Sequence, residues 1–382
     1  MMTPDRNPKT MKTHHPENER IKHRYLEYLK EANGYAEPSL DGVAKALKRF
    51  ETYTRHRDFR SFHLEQAKRF KAHLTAQQNA QTGERLSRAT LYSTLRSLRA
   101  FFHWLAGQPG YRSKLTYADA DYFNLPANDA RIATTRRTTP VPTLEQIDRV
   151  LATMPTATDI DLRNRALVAF TILTGARDGA LATLKLKHVD LALGQVFQDG
   201  RDVATKRGKS ITTTFFPVGD EPLRIVTGWI GHLRATLFWG NDDPLFPKTK
   251  IGVVAGRGFQ AVGLEREFWS SAQPIREIFR EAFTRARLPY FNPHSFRNTL
   301  AQLGERMCAN AEDFKSWSQN LGHEAVLTTL TSYGAVAPDR QAELIRRMGL
   351  ARAPASGLAG AIAVGVQAAL QQAGICEPGN KA

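Results

Sequence analysis

The chain has 382 residues, more than one compact core commonly holds, so two domains are expected. Hydrophobic residues at 42% and charged residues at 24% exclude disorder of the whole chain. A formal net charge of +16 and a pI near 10.0 point to a polyanionic partner, with nucleic acid ahead of an anionic membrane or an acidic protein.

Residues 1–16 are polar and carry no apolar core, so they read as a mobile tail rather than a signal peptide. From Glu17 to about Leu105 apolar residues recur at helical spacing. Ile21, Tyr25 and Tyr28 mark one helix, Val43, Leu47 and Phe50 a second, and Ala67, Phe70 and Leu74 a third. The fourth, Leu91, Leu95, Leu98, Phe102 and Leu105, is the clearest. Their polar faces carry Lys45, Lys48, Arg49, Arg55, Arg57, Lys68, Arg69, Lys71, Arg88, Arg96 and Arg99. Any one of these is an ordinary solvated residue; together they suggest a surface that tracks phosphates.

Residues 106–142 carry four prolines and the run TTRRTTP, and read as extended chain with basic residues inside it. Thr143, with Gln146 three residues on, opens a helix and a second domain. There, residues 161–173 read as a buried helix closed by Gly175, with a short helix following through Leu184. Gln195–Gln198 and Ile211–Phe216 read as strands around the charged segment GRDVATKRGKS. From about Ala272 to Met348 the pattern is helical again. The expected boundaries are a tail at 1–16, a helical domain at 17–125, a linker at 126–142, a catalytic domain at 143–350 and a C-terminal tail at 351–382. That tail contains a possible helix from Leu358 to Gln372, apolar but interrupted by Gln367, Gln371 and Gln372 and short of a membrane span.

Cys308 and Cys376 have neither metal-ligand spacing nor the number for a disulfide framework, which fits a reducing cytosol and a cytoplasmic protein. No phosphate-binding glycine loop or paired-carboxylate metal site is apparent, and no cofactor is expected.

Three segments carry chemistry. Thr174-Gly-Ala-Arg177 sets an arginine just past a glycine turn, at the start of a helix. In Asn292-Pro-His294-Ser-Phe-Arg297, Asn292 is a good N-cap and Pro293 suits the first turn. His294 and Arg297 then share one face near a helix N-terminus, which favours an anion. Leu321-Gly-His323 is followed ten residues later by Tyr333. Each segment alone is common, and Tyr333 alone is one of ten tyrosines.

In order and spacing, TGAR, a lysine in a basic hairpin, HSFR, LGH and a tyrosine resemble the phage-integrase family of tyrosine recombinases. The resemblance implies a mainly α fold with a small β-sheet: an N-terminal helical core-binding bundle plus a mixed α+β catalytic domain. It implies that Arg177, His294, Arg297 and His323 hold a scissile phosphate, that Tyr333 attacks it, and that Lys206 is the general acid, with Lys209 as runner-up. The family usually carries Glu where this chain has Ala180, which leaves open what supports Arg177, with Asp178 one candidate.

The implied activity is site-specific cleavage and rejoining of DNA through a 3′-phosphotyrosine, independent of metal and ATP, for integration or excision of a mobile element. The implied partners are double-stranded DNA, three further copies in a tetramer on two sites, and accessory DNA-bending proteins, with no membrane. The short N-terminal tail suggests a recombinase that binds core sites only. The alternatives are a related nicking-closing enzyme and an inactive DNA-binding protein on the same scaffold. Docking of the C-terminal tail in cis or in trans stays open.

Overall fold

The four helical periodicities become α1 (Pro16–Glu31), α2 (Glu37–Thr54), α3 (Leu64–Ala76) and α4 (Arg88–Ala106) in a computed structural model of the chain. It describes residues 14–79, 83–134, 140–205, 208–254, 256 and 258–323. The chain divides into two compact units, Met1–Thr135 and Arg136–Ala382.

The first unit is built around aromatic side chains. Phe50 meets Phe102 edge-on at 5.3 Å between centroids, and Phe62 stacks on Phe102 at 4.1 Å. Such pairs add to what burial alone contributes. Ser87 starts α4 by accepting the Thr90 N–H at 3.1 Å. Asn18, fully buried, donates to Glu51 and to the Arg57 carbonyl and accepts from the Phe59 N–H, which ties α1 to the end of α2.

The expectation of extended chain over 106–142 is corrected here. Residues 117–121 and 127–134 form α5 (Tyr117–Asp121) and α6 (Ala127–Thr134). The physical reason for α5 is burial, since Tyr111, Leu115, Ala120 and Phe123 complete the same core as Phe50 and Phe102, whereas α6 buries no residue of its own. Thr116 and Asp119 close a capping box at the start of α5.

The predicted basic faces are partly neutralised, since Lys68 pairs with Glu65, Arg88 with Asp129 and Arg99 with Asp121. Lys45, Lys48 and Arg96 are exposed, and Arg49 donates to Thr94 at 3.2 Å. Tyr35, Lys45, Arg49, Tyr92 and Arg96 line a groove between α2 and α4.

The second unit opens with α7 (Leu144–Thr153), started by the Thr143–Gln146 capping box. Helix α8 (Asp159–Thr174) is buried along most of its length and ends at Gly175. A short α9 (Asp178–Leu181) comes after it. Next comes an antiparallel sheet in the order β1 (Val189–Asp190), β2 (Gln195–Gln198), β3 (Ile211–Thr214). Phe197 pairs with Thr212 and Gln198 with Ile211, so β2 and β3 form the expected hairpin around the charged loop. The third strand stops at Thr214, two residues before the predicted end.

In this unit β1, α10 (Asp220–Ala235) and the hairpin of β4 (Thr249–Val254) and β5 (Gly258–Leu264) were not foreseen. The second core draws on α7, α8, α10, α11 (Gln273–Arg285) and α12 (Pro293–Met307), and α13 (Ala311–Asn320) is the last of the described helices. The helical reading to Met348, the tail at 351–382 and its possible helix lie outside the described residues. No helix among the described residues is long and apolar enough to cross a membrane.

Candidate active site

The site is assembled around the turn at Gly175. A helix that must stop sharply needs a left-handed residue, and Gly175 supplies it at φ +62°. Its N–H bonds back to Thr171 at 2.8 Å, and the Thr174 hydroxyl accepts the Ala176 N–H at 3.2 Å. The chain leaves the turn extended through Arg177, which is half-buried and begins α9.

A Cβ at Gly175 would lie 3.0 Å from Leu300 Cδ1 and 3.2 Å from Leu321 Cδ2. Gly175→Ala is therefore expected to destabilise the second unit by about 1–2 kcal/mol through left-handed strain, read as a lower urea midpoint with an unchanged m-value.

Across this turn lies α12. Asn292 caps it by accepting the Ser295 N–H at 3.2 Å, and Pro293 occupies its first turn, as predicted. His294 is exposed near the helix start. Arg297, three residues on, is only 3% exposed. Its Nη1 donates to the Gly175 carbonyl. Its Nη2 donates to the Leu321 carbonyl at 2.5 Å and lies 3.3 Å from His323 Nε2. Arginine only donates, so His323 Nε2 is the acceptor in this contact. His323 itself is 9% exposed. One planar guanidinium thus joins the TGAR turn, the HSFR helix and the LGH turn, segments 122 and 26 residues apart in the chain.

The loop between β2 and β3 is fastened to the same region. Val203 is buried in the core, and the Ala204 N–H donates to the Thr183 hydroxyl at 2.8 Å. The Ala204 carbonyl lies 3.5 Å from where a Cβ on Gly179 would stand, so the loop runs beside α9. Asp202 pairs with Lys187 at 3.0 Å and Lys185 at 3.5 Å. The Lys187 bond holds its carboxyl below the usual range. Behind it, buried His188 accepts the Lys185 N–H on Nδ1, and burial pushes its pKa down.

Lys206 and Tyr333 lie outside the described residues. Lys206 comes two residues after Ala204 in the sequence. Lys209 is half-buried. Ala180 is 1% exposed and packs in the core. Asp178, the candidate substitute for an acid there, accepts from Arg276 Nε on Oδ2 at 2.8 Å and from the Gly179 N–H on Oδ1 at 3.0 Å. Thr183, Asp202 and Asn320 are positioned around the site and were not singled out by sequence reasoning, because their partners are remote in the chain.

Residues 141–340 match the phage integrase family, and residues 23–108 match the phage integrase N-terminal SAM-like domain. The chain belongs to the phage integrase family. It is a tyrosine-type site-specific recombinase, mainly α with small sheets. Among similar proteins is the tyrosine recombinase XerC of Lactobacillus delbrueckii subsp. bulgaricus, 24% identical over 319 residues, which cover 81% of this chain and 92% of that one. XerC of Escherichia coli O157:H7 is 26% identical over 253 residues, 64% of this integrase and 69% of that protein.

Among solved structures, a lambda integrase dimer bound to a COC′ core site aligns with a TM-score of 0.56 at 13% identity, covering 82% of this chain and 94% of that one. The Tn1549 transposon integrase in complex with transposon right end DNA also aligns at 0.56, with 14% identity over 86% of this chain and 99% of that one. At such identities the likeness is one of fold.

Proposed function

We propose that this integrase cuts and rejoins double-stranded DNA through a phosphotyrosine on Tyr333. The observation that carries the reading is the convergence of the Arg177 turn, Arg297 and His323 through one guanidinium. A phosphodiester under attack gains negative charge on its non-bridging oxygens, and catalysis is then mostly positioning and charge stabilisation. Arg177 and Arg297 offer fork-shaped donors that stay charged at any working pH. His294 stands at the positive end of α12, and His323 supplies a further nitrogen.

A tyrosine, with an ordinary pKa near 10, needs such a cationic setting to lose its proton and attack phosphorus. As the bond to the 5′-oxygen breaks, Lys206 protonates that oxygen. The product is a 3′-phosphotyrosine and a free 5′-hydroxyl, and attack by a new 5′-hydroxyl reverses the step. The ester bond is conserved throughout, so religation needs no nucleotide.

The same reading implies the partners. The groove between α2 and α4, with Lys45, Arg49 and Arg96, is a surface for a DNA backbone. Two duplexes exchanging strands require four cuts, hence four protomers; a lambda integrase tetramer has been solved on a Holliday junction, with a TM-score of 0.54 at 14% identity. DNA-bending accessory proteins, action in the cytoplasm and service to a mobile element complete the proposal.

The test is a nicked suicide substrate carrying the core site, recovered by footprinting DNA that flanks the gene. A denaturant-stable protein–DNA adduct is expected, at the same rate with and without EDTA. Arginine and lysine supply the charge that a metal ion supplies in other phosphoryl-transfer sites. A strict divalent-cation requirement for cutting would overturn the mechanism.

A further inference from the structure

Strand β3 pairs with β2 on one side and with no other strand among the described residues. Its second edge carries Asn320, the last residue of α13. Asn320 Oδ1 accepts the Thr214 N–H at 2.7 Å, and Asn320 Nδ2 donates to the Thr214 carbonyl at 2.8 Å. One carboxamide therefore exchanges with one strand residue both bonds that a neighbouring strand would exchange. The Thr213 hydroxyl adds a third bond, to the Asn320 backbone carbonyl, at 3.0 Å.

Directly after Asn320 the chain makes the turn that holds Arg297. The Leu321 carbonyl accepts Arg297 Nη2, and His323 Nε2 lies 3.3 Å from the same nitrogen. Between them Gly322 takes φ +73°, and a Cβ there would come within 2.8 Å of Ile211 Cδ1 on β3. The turn lies flush against the strand. Asn320 is where it is fastened.

We infer that Asn320 is a positioning residue for strand cleavage: it fixes the Leu321–His323 turn on β3 and through it aims Arg297 and His323 at the scissile phosphate. The inference rests on the reading of Arg297 and His323 as phosphate ligands. It also gives β3 a second task. The strand that leaves the lysine-bearing loop is the one that seats the phosphate-holding turn, so the two halves of the site share a frame. The global fold has little stake in the two carboxamide bonds to Thr214, because neutral hydrogen bonds at an exposed edge are largely replaced by water. Cleavage has a large stake, because misplacing a transition-state contact by about 1 Å costs about 100-fold in rate.

The experiment compares wild-type protein with Asn320→Ala, Thr213→Val and Arg297→Ala in single-turnover cleavage at saturating DNA. Affinity and thermal midpoint are measured in parallel. Each protein is also given a substrate in which a methyl group replaces one non-bridging oxygen of the scissile phosphate, leaving no negative charge to balance. Asn320→Ala is expected to cut about 10- to 100-fold more slowly, with affinity within about 3-fold of wild type. Its deficit, like that of Arg297→Ala, should shrink on the uncharged substrate.

If Asn320→Ala unfolds, Thr213→Val carries the test, since it keeps the side-chain volume and removes one of the three bonds. It must show the same pattern at smaller amplitude. An unchanged rate, or a deficit equally large on both substrates, overturns the inference. Normal cleavage by Arg297→Ala would instead overturn the reading of the phosphate ligands on which it stands.

Discussion

Tyr333→Phe is expected to abolish the covalent protein–DNA adduct while leaving DNA affinity unchanged. The substitution removes one oxygen and keeps the ring, so the nucleophile is lost with the least change to the side chain. Loss of a nucleophile that no neighbour replaces lowers turnover by at least about 10⁴-fold. Affinity is carried elsewhere, by the many lysine and arginine contacts to phosphates that a protein of net charge +16 can make. The measurement is adduct formation on a suicide substrate, resolved under denaturing conditions, beside a binding titration at fixed salt. An adduct forming at full rate in the Phe variant would assign the nucleophile to another residue.

Arg297→Lys is expected to slow cleavage by about 10³-fold, with a smaller loss of affinity. Lysine keeps the charge but not the planar fork, and Arg297 uses that fork on two carbonyls at once, those of Gly175 and Leu321. The variant is also expected to lose stability, about 1–3 kcal/mol, because buried carbonyls lose a donor. Arg177→Lys provides the contrast. Arg177 is half-buried and stands at the start of α9, so a comparable loss of rate should come with a smaller fall in thermal midpoint. Near-normal cleavage with collapsed affinity in either variant would move that arginine from the transition state to ground-state DNA binding.

Local signals carried much of this architecture. The Leu91-to-Leu105 spacing marks α4, the Thr143–Gln146 box starts α7, Gly175 ends α8 and Asn292 starts α12, each set by residues within a few positions. Failure came where a distant core decided the outcome. Between 106 and 142 the prolines speak for extended chain, yet Phe123 stacks on Phe62 and Phe102, and the chain before it folds into the short helix α5. The β4–β5 hairpin was missed because exposed Val253 and Phe259 make no alternating pattern of burial. The candidate site was legible as an ordered set of residue types. Its closure through Arg297 and its seating by Asn320 were not, since Thr214 lies 106 residues before Asn320.

The span of the Arg297 contacts also sets when this chain becomes competent. Residues 175 and 297 meet only after a loop of 122 residues has closed, residue 323 joins them from 26 residues further on, and such closure precedes any reward from the contacts themselves. A ribosome that has released α8 and the β2–β3 hairpin has released the first arginine and the loop lysine without the frame that makes them act together. During synthesis the first unit, Met1–Thr135, is therefore complete well before the site in the second unit can close. The Arg297 contacts close late, when the segment around residue 323 docks and the separate pieces of the site come into register.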